Sequence, residues 1–171
     1  IGFNYGCSGG RNIGAKLAQG QYIIFLDDDG RLACGSIEAL IHCIEKNHSV
    51  ACRGKVIPKD EIGISGGHYD KGPKVNISPP DAEGISIWNR KVFLEYGGFD
   101  PLLAGHEGLA LCAKMHRDKH LHSFLYTPHA TLRHNFSDDE EKNKIKLKLH
   151  ATNREYLEHI GINHRKLKKQ F

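Results

Sequence analysis

The chain has no apolar run long enough to cross a bilayer. Its longest aliphatic and aromatic stretch is Tyr22 to Leu26, where a spanning helix needs roughly 20 residues. No stretch reads as a signal peptide, and no internal repeat is visible. Proline is scarce, with six residues in 171, and Met115 and Trp88 are the only residues of their kinds. With 39% hydrophobic and 26% charged residues, the composition argues against disorder and collagen-like repeats. The five cysteines, Cys7, Cys34, Cys43, Cys52 and Cys112, form no CxxC pair. They read as reduced thiols of a cytosolic protein.

Charge of one sign is also in short supply. The formal net charge is +4. Residues 1–137 hold 15 basic and 14 acidic groups, and residues 138–171 hold 9 and 6. A nearly neutral body is a poor grip for nucleic acid, so no nucleic-acid partner is expected. The tail carries Lys142, Lys144, Lys146, Lys148, Arg165, Lys166, Lys168 and Lys169. It reads either as a peripheral contact for anionic lipid or as a solvated helix packed on the domain.

The length fits one domain that buries roughly two-thirds of its unfolded surface. Ser8 to Gly20 reads as a short helix, capped by Ser8 and ended by Gly20. Gln21 to Leu26 suits a strand buried on both faces. Ser36 caps a second helix with Ile37, Leu40, Ile41 and Ile44 on one face, closed by Asn47. Val50 to Ile57 reads as a strand. Residues 58–83 are punctuated by glycine and proline and read as a long loop hiding a strand near Lys74 to Ile77. Gly84 to Trp88 alternates like a strand, and Asn89 caps a helix through Tyr96 that ends at Gly97-Gly98. Glu107 to Arg117 is helical. Ser123 to Tyr126 and Ala130 to His134 read as two short strands around Pro128. The tail is helical, with Ile145, Leu149, Tyr156 and Ile160 on one face. Strand–helix alternation of this kind predicts an α/β sheet, with ligands outside the carboxyl ends of its strands.

Asp27, Asp28 and Asp29 follow an apolar strand at such an end. On an extended backbone Asp27 and Asp29 point to the same side. Two such carboxylates attract a hard divalent cation, which in turn holds phosphate. The other reading is a polar turn. His116 and His120 lie four apart with His122 beyond, a spacing that can bind zinc; solvated histidines are the simpler reading. The glycine-rich stretch Gly63 to Gly72 lacks phosphate-loop spacing and reads as an acceptor-side lid.

Gly9-Gly10-Arg11-Asn12-Ile13-Gly14-Ala15, followed by Gly20 to Asp29, resembles family 2 glycosyltransferases of the GT-A fold. Gly97-Gly98-Phe99-Asp100-Pro101 with Gly105-His106-Glu107 is similar to that family's Gly-Gly-Phe-Asp segment and acidic motif. Thr131-Leu132-Arg133-His134 resembles its late histidine-bearing strand. The resemblance covers residue 6 to about 135. It implies a mixed, mostly parallel sheet flanked by helices, a truncated nucleotide-diphospho-sugar transferase fold over residues 1–137 with a basic helical tail over 138–171. It implies a nucleoside-diphosphate sugar donor, usually a UDP-sugar, and a divalent metal, Mn2+ or Mg2+. The acceptor would be a surface glycan or a lipid-linked sugar; the cysteines point to the cytoplasm, and the basic tail leaves a peripheral contact with the inner membrane as one of its two readings.

The resemblance also assigns roles. Arg11, Asn12, Asp27 and Asp28 would contact the donor, Asp27 near its ribose or sugar. Asp29 and His134 would hold the metal. Direct displacement with inversion needs a general base for the acceptor hydroxyl. The family's usual pair is Glu-Asp, and here it reads Glu107-Gly108. Glu107 is then the base, with His106 as the adjacent alternative; Glu107 as a helix cap is the plain structural reading. Trp88 would stack on an acceptor sugar or pack in the core. Asp100 would face the acceptor or order its own turn. The family carries some tens of residues before the Arg-Asn helix, so a piece of a larger enzyme is expected. A sugar nucleotidyltransferase and a non-catalytic nucleotide-binding module are the competing readings.

Overall fold

The computed structural model describes residues 3–59, 69–80, 84–118, 124–135 and 139–163. Among these the elements run α1 (Gly6–Leu17), β1 (Tyr22–Leu26), β2 (Arg31–Leu32), α2 (Ser36–Asn47), β3 (Ala51–Ile57) and β4 (Asn76–Ile77). They continue with β5 (Ile85–Asn89), α3 (Arg90–Glu95), α4 (Glu107–Arg117), β6 (Phe124–Arg133) and α5 (Glu140–His159). The sheet order is β1-β5-β3-β6-β2, with β4 also paired to β6. The expected α/β architecture with a mixed sheet is present. The pairing differs in detail from the expected mostly parallel sheet: among the described residues only β3 and β6 pair in parallel. The cause is β5, which lies antiparallel between β1 and β3.

That topology also corrects β1. The expectation was a strand buried on both faces, but one face is buried and the other partly open, and among the described residues β1 pairs with β5 alone. Ile23 and Phe25 are buried while Leu26 is half exposed.

Two apolar layers cover the sheet. On one face α2 lays Leu40, Cys43 and Ile44 against Cys52, Val56, Ile85, Ile87, Leu125 and Leu132. On the other, Phe25, Trp88, Phe93 and Phe99 meet Leu111, Cys112 and Met115 of α4. Alternation along β5 explains the split: Ile85 and Ile87 face α2, and Trp88 faces α4.

Helix ends use local chemistry. Asn89 caps α3 by accepting from the Val92 N–H at 3.1 Å, as its sequence predicts. Ser8 does not cap α1. It lies buried inside the first turn and donates to the Leu103 carbonyl at 2.6 Å. Ser36 is the first residue of α2, not its cap. Its Oγ accepts from the Thr131 N–H at 3.0 Å, tying the helix to β6.

The two expected strands around Pro128 are one strand, β6. Its register with β3 jumps from Arg53↔Tyr126 to Lys55↔Thr131. Pro128 sits in that bulge, where its missing N–H breaks no ladder bond. Gly54 faces the bulge, and a Cβ there would collide with the Ala130 carbonyl.

Of the apolar face expected for the tail, Tyr156 and Ile160 pack partly buried on the body, and Ile145 and Leu149 are exposed. Ile145 is 62% exposed, and the helix is anchored instead by Asn153 and Leu157. Leu157 and Ile162 pack on Leu103, Leu109, Ala110 and Ala113. The second half of α5 is thus part of the packed body. No helix among the described residues is long and apolar enough to cross a membrane.

Candidate active site

Three elements meet at the carboxyl end of β1. Arg11 comes from the middle of α1, Asp27 follows β1, and Glu107 opens α4. Arg11 Nη2 donates to Asp27 Oδ1 at 2.7 Å, and Arg11 Nη1 donates to Glu107 Oε1 at 3.4 Å. The guanidinium lies 6.0 Å from the Phe25 ring centroid. Glu107 is almost fully enclosed, with 2% of its side chain exposed, whereas Asp27 is 40% exposed. A buried carboxylate needs a charge partner, and Arg11 supplies it. Glu107 Oε2 is buried and has no hydrogen-bond partner. Gly84 stands directly behind Asp27, and a Cβ there would collide with its carboxylate. A groove of about 350 Å³ runs between α1 and β1, lined by Arg11, Ala15, Ala18 and Phe25.

The three aspartates do not continue the strand. The Gly30 N–H donates to the Asp27 carbonyl at 3.0 Å and closes a turn into β2. The expectation that Asp27 and Asp29 share one side therefore fails. The turn sends Asp27 to Arg11 and carries Asp29 to the end of β6. There Asp29 Oδ2 and His134 Nε2 lie 3.1 Å apart. Asp28 is exposed between them. The two residues expected to hold a metal are thus brought together from 105 positions apart.

Other expected site residues have structural work. Asn12 grips the backbone of Phe99 from both sides: its Nδ2 donates to the Phe99 carbonyl at 2.7 Å and its Oδ1 accepts the Phe99 N–H at 2.8 Å. With both ends of the amide engaged, Asn12 braces α1 against the Gly97-Gly98 turn. Trp88 is corrected to the core. It is 1% exposed, packed against Phe93 and Phe99, and donates from Nε1 to Ser86 Oγ at 3.0 Å. No face is left for a sugar. Asp100 accepts from the Leu102 N–H at 2.9 Å and from the Tyr156 hydroxyl at 2.7 Å. It orders its own turn and binds α5. The bond to Asp100, with some burial, raises the Tyr156 phenol above its ordinary value.

His106 precedes α4 in the left-handed conformation, φ 68°, which costs a non-glycine residue about 1–2 kcal/mol. Its ring packs on His150 of α5 at 4.9 Å between centroids. His116 is exposed on α4, and His120 and His122 lie outside the described residues. Among the described residues no three His, Cys, Asp or Glu side chains converge as a metal cage. Much of the glycine-rich stretch, residues 60–68, also lies outside them. The contacts from α5, through His150, Asn153 and Tyr156, were not legible in the sequence. A polar residue inside a charged helix gives no local sign of burial.

An acidic turn at the carboxyl end of a strand, in a mixed sheet covered by helices on both faces, defines the GT-A class of nucleotide-sugar transferase folds. The profile described as Glycosyl transferase family 2 matches residues 2–102, and the chain belongs to that family. It is 30% identical over 131 residues to a Drosophila melanogaster protein named as a polypeptide N-acetylgalactosaminyltransferase 13. That match covers 61% of this chain and 24% of the relative. The fold resembles GalNAc-T7, crystallised with UDP, GalNAc and Mn2+, at a TM-score of 0.63 and 20% identity. That likeness covers 80% of this chain and 31% of the other. It also resembles residues 1–349 of S. aureus TarS in complex with UDP-GlcNAc, at 0.53 and 15%, covering 75% and 40%. At these identities the two structures speak for the fold. The chain spans between about a quarter and two-fifths of the length of these relatives.

Proposed function

We propose that this chain carries the reaction centre of a metal-assisted, inverting glycosyltransferase that moves a sugar from a UDP-sugar to a hydroxyl of a glycan or related acceptor. One observation carries the reading. Arg11, Asp27 and Glu107, up to 96 positions apart, converge on one guanidinium beside the groove. The UDP, GalNAc and Mn2+ bound in the GalNAc-T7 structure and the UDP-GlcNAc bound in the TarS structure support a UDP-sugar donor.

Asp29 and His134 fit a divalent cation. Neighbouring ligands of an octahedral ion with bonds of about 2.1 Å lie about 3 Å apart, and the two donor atoms are separated by 3.1 Å. A carboxylate oxygen and an imidazole nitrogen together suit Mn2+, and Asp29 and His134 would be the residues that hold it. The bound metal would stabilise the charge that grows on the departing diphosphate. Asp27, held by Arg11, would orient the donor's ribose or sugar. Glu107 Oε2, which has no hydrogen-bond partner among the described residues, would take the acceptor hydroxyl proton. The freed oxygen then attacks the anomeric carbon as the bond to the diphosphate oxygen breaks, and UDP leaves. Arg11 keeps both carboxylates in place and offsets the charge buried at Glu107.

Incubating the chain with UDP-GalNAc or UDP-GlcNAc and Mn2+, with water taking the place of the acceptor hydroxyl, tests this. Free UDP is the expected product. Release of pyrophosphate would assign the site to nucleotidyl transfer, and binding without any release would make it a non-catalytic module.

A further inference from the structure

The match to the family profile ends at residue 102, before α4 and α5 begin. Yet α5 touches the loop that delivers His106 and Glu107 at three successive helical turns. The Tyr156 hydroxyl donates to Asp100, the His150 ring packs on His106, and Asn153 lies between them. Asn153 is 3% exposed. Its Nδ2 donates to the Ala104 carbonyl at 2.8 Å and to the Gly105 carbonyl at 3.1 Å. Both hydrogens of one amide are thus spent on the two peptides directly before His106.

Those peptides turn an unusual corner. Gly105 and His106 both adopt positive φ, 96° and 68°. Two left-handed residues in succession do not persist without outside support. A Cβ on Gly105 would also make a tight 3.1 Å contact with His150 Cε1. An apolar residue at 153 would take this donor away from both carbonyls of the loop. The chemistry of Asn153 is therefore explained by the loop, not by the helix interface.

We propose that Asn153 is a positioning residue for the reaction centre. By fixing the carbonyls of Ala104 and Gly105, it sets where α4 starts and so holds the Glu107 carboxylate against Arg11. This rests on the role proposed for Glu107. A small displacement of a reacting group is enough to slow chemistry about ten- to a hundredfold.

The test uses the full chain, UDP-GalNAc and Mn2+. Asn153→Asp keeps the shape and removes the donors. It is expected to lower kcat for UDP release about ten- to a hundredfold with the donor KM little changed. Asn153→Ser, which retains one donor, should fall between it and the parent. In a Glu107→Gln background, Asn153→Asp should add almost nothing, because the group it positions is already disabled. An unchanged kcat would overturn the proposal, as would a loss that multiplies with that of Glu107→Gln. Amide exchange at residues 104–108 provides a readout independent of turnover. It should quicken in Asn153→Asp while α5 stays helical, and unchanged exchange would overturn the proposal even for a parent chain that releases no UDP. That last result in the parent would instead overturn the transferase reading.

Discussion

Glu107→Gln is expected to slow sugar transfer by about a hundredfold to ten-thousandfold while UDP binding stays close to that of the parent. The substitution is nearly isosteric. The glutamine carbonyl can still accept from Arg11 Nη1, now at 3.4 Å from Oε1, so the brace between α1 and α4 survives. What is lost is a group able to take a proton, at the position where Oε2 lies buried without a partner. Glu107→Ala is a poorer probe, because it also strips a buried partner from Arg11. Steady-state rates and a UDP titration on the same samples separate chemistry from binding. If Glu107 serves only as a first-turn carboxylate of α4, glutamine would leave the rate nearly unchanged.

Trp88→Ala is expected to lower folding stability by about 3–5 kcal/mol, read from the shift of the urea midpoint. Trp88 lies at the centre of the aromatic layer, edge-on to Phe93 and Phe99 at 5.6 and 5.7 Å. It occupies β5, opposite Ile23 of the edge strand and Ala51 of β3. Removing it opens a cavity beneath β1, the strand that presents Asp27. A loss of that size is a large part of the stability of an ordinary domain, about 5–15 kcal/mol. Trp88→Phe should cost much less, since an aromatic ring still fills the layer. A sugar-stacking tryptophan would behave in the opposite way: its loss would weaken acceptor binding and leave the urea midpoint in place.

What could be read from the sequence was whatever short-range chemistry determines. The cap of α3 at Asn89, its stop at Gly97-Gly98 and the span of α4 all follow from residues within one turn of each other. The short strand inside the long loop was legible near its true place, at Asn76–Ile77. Properties set by distant partners were not. Nothing local to Tyr22–Leu26 tells that its partner β5 runs antiparallel to it. The two-residue β2 exists only because β6 pairs with it, Arg31 opposite Arg133. Pro128 looks like a strand breaker until Gly54 provides a bulge to hold it. At the site, Asp29 and His134 were singled out through resemblance, and their meeting depends on the turn closed by Gly30. Asn12 and Trp88 carry side chains suited to ligands, but their environments engage them elsewhere.

The central claim is that Asp29 and His134 hold a divalent cation that binds the diphosphate of a UDP-sugar. Calorimetric titration of UDP, with and without Mn2+, tests it most directly on the parent chain and on Asp29→Ala. The account predicts binding that requires Mn2+ and weakens at least about tenfold in Asp29→Ala. UDP binding that is equally strong without Mn2+, and equally strong in Asp29→Ala, would contradict it.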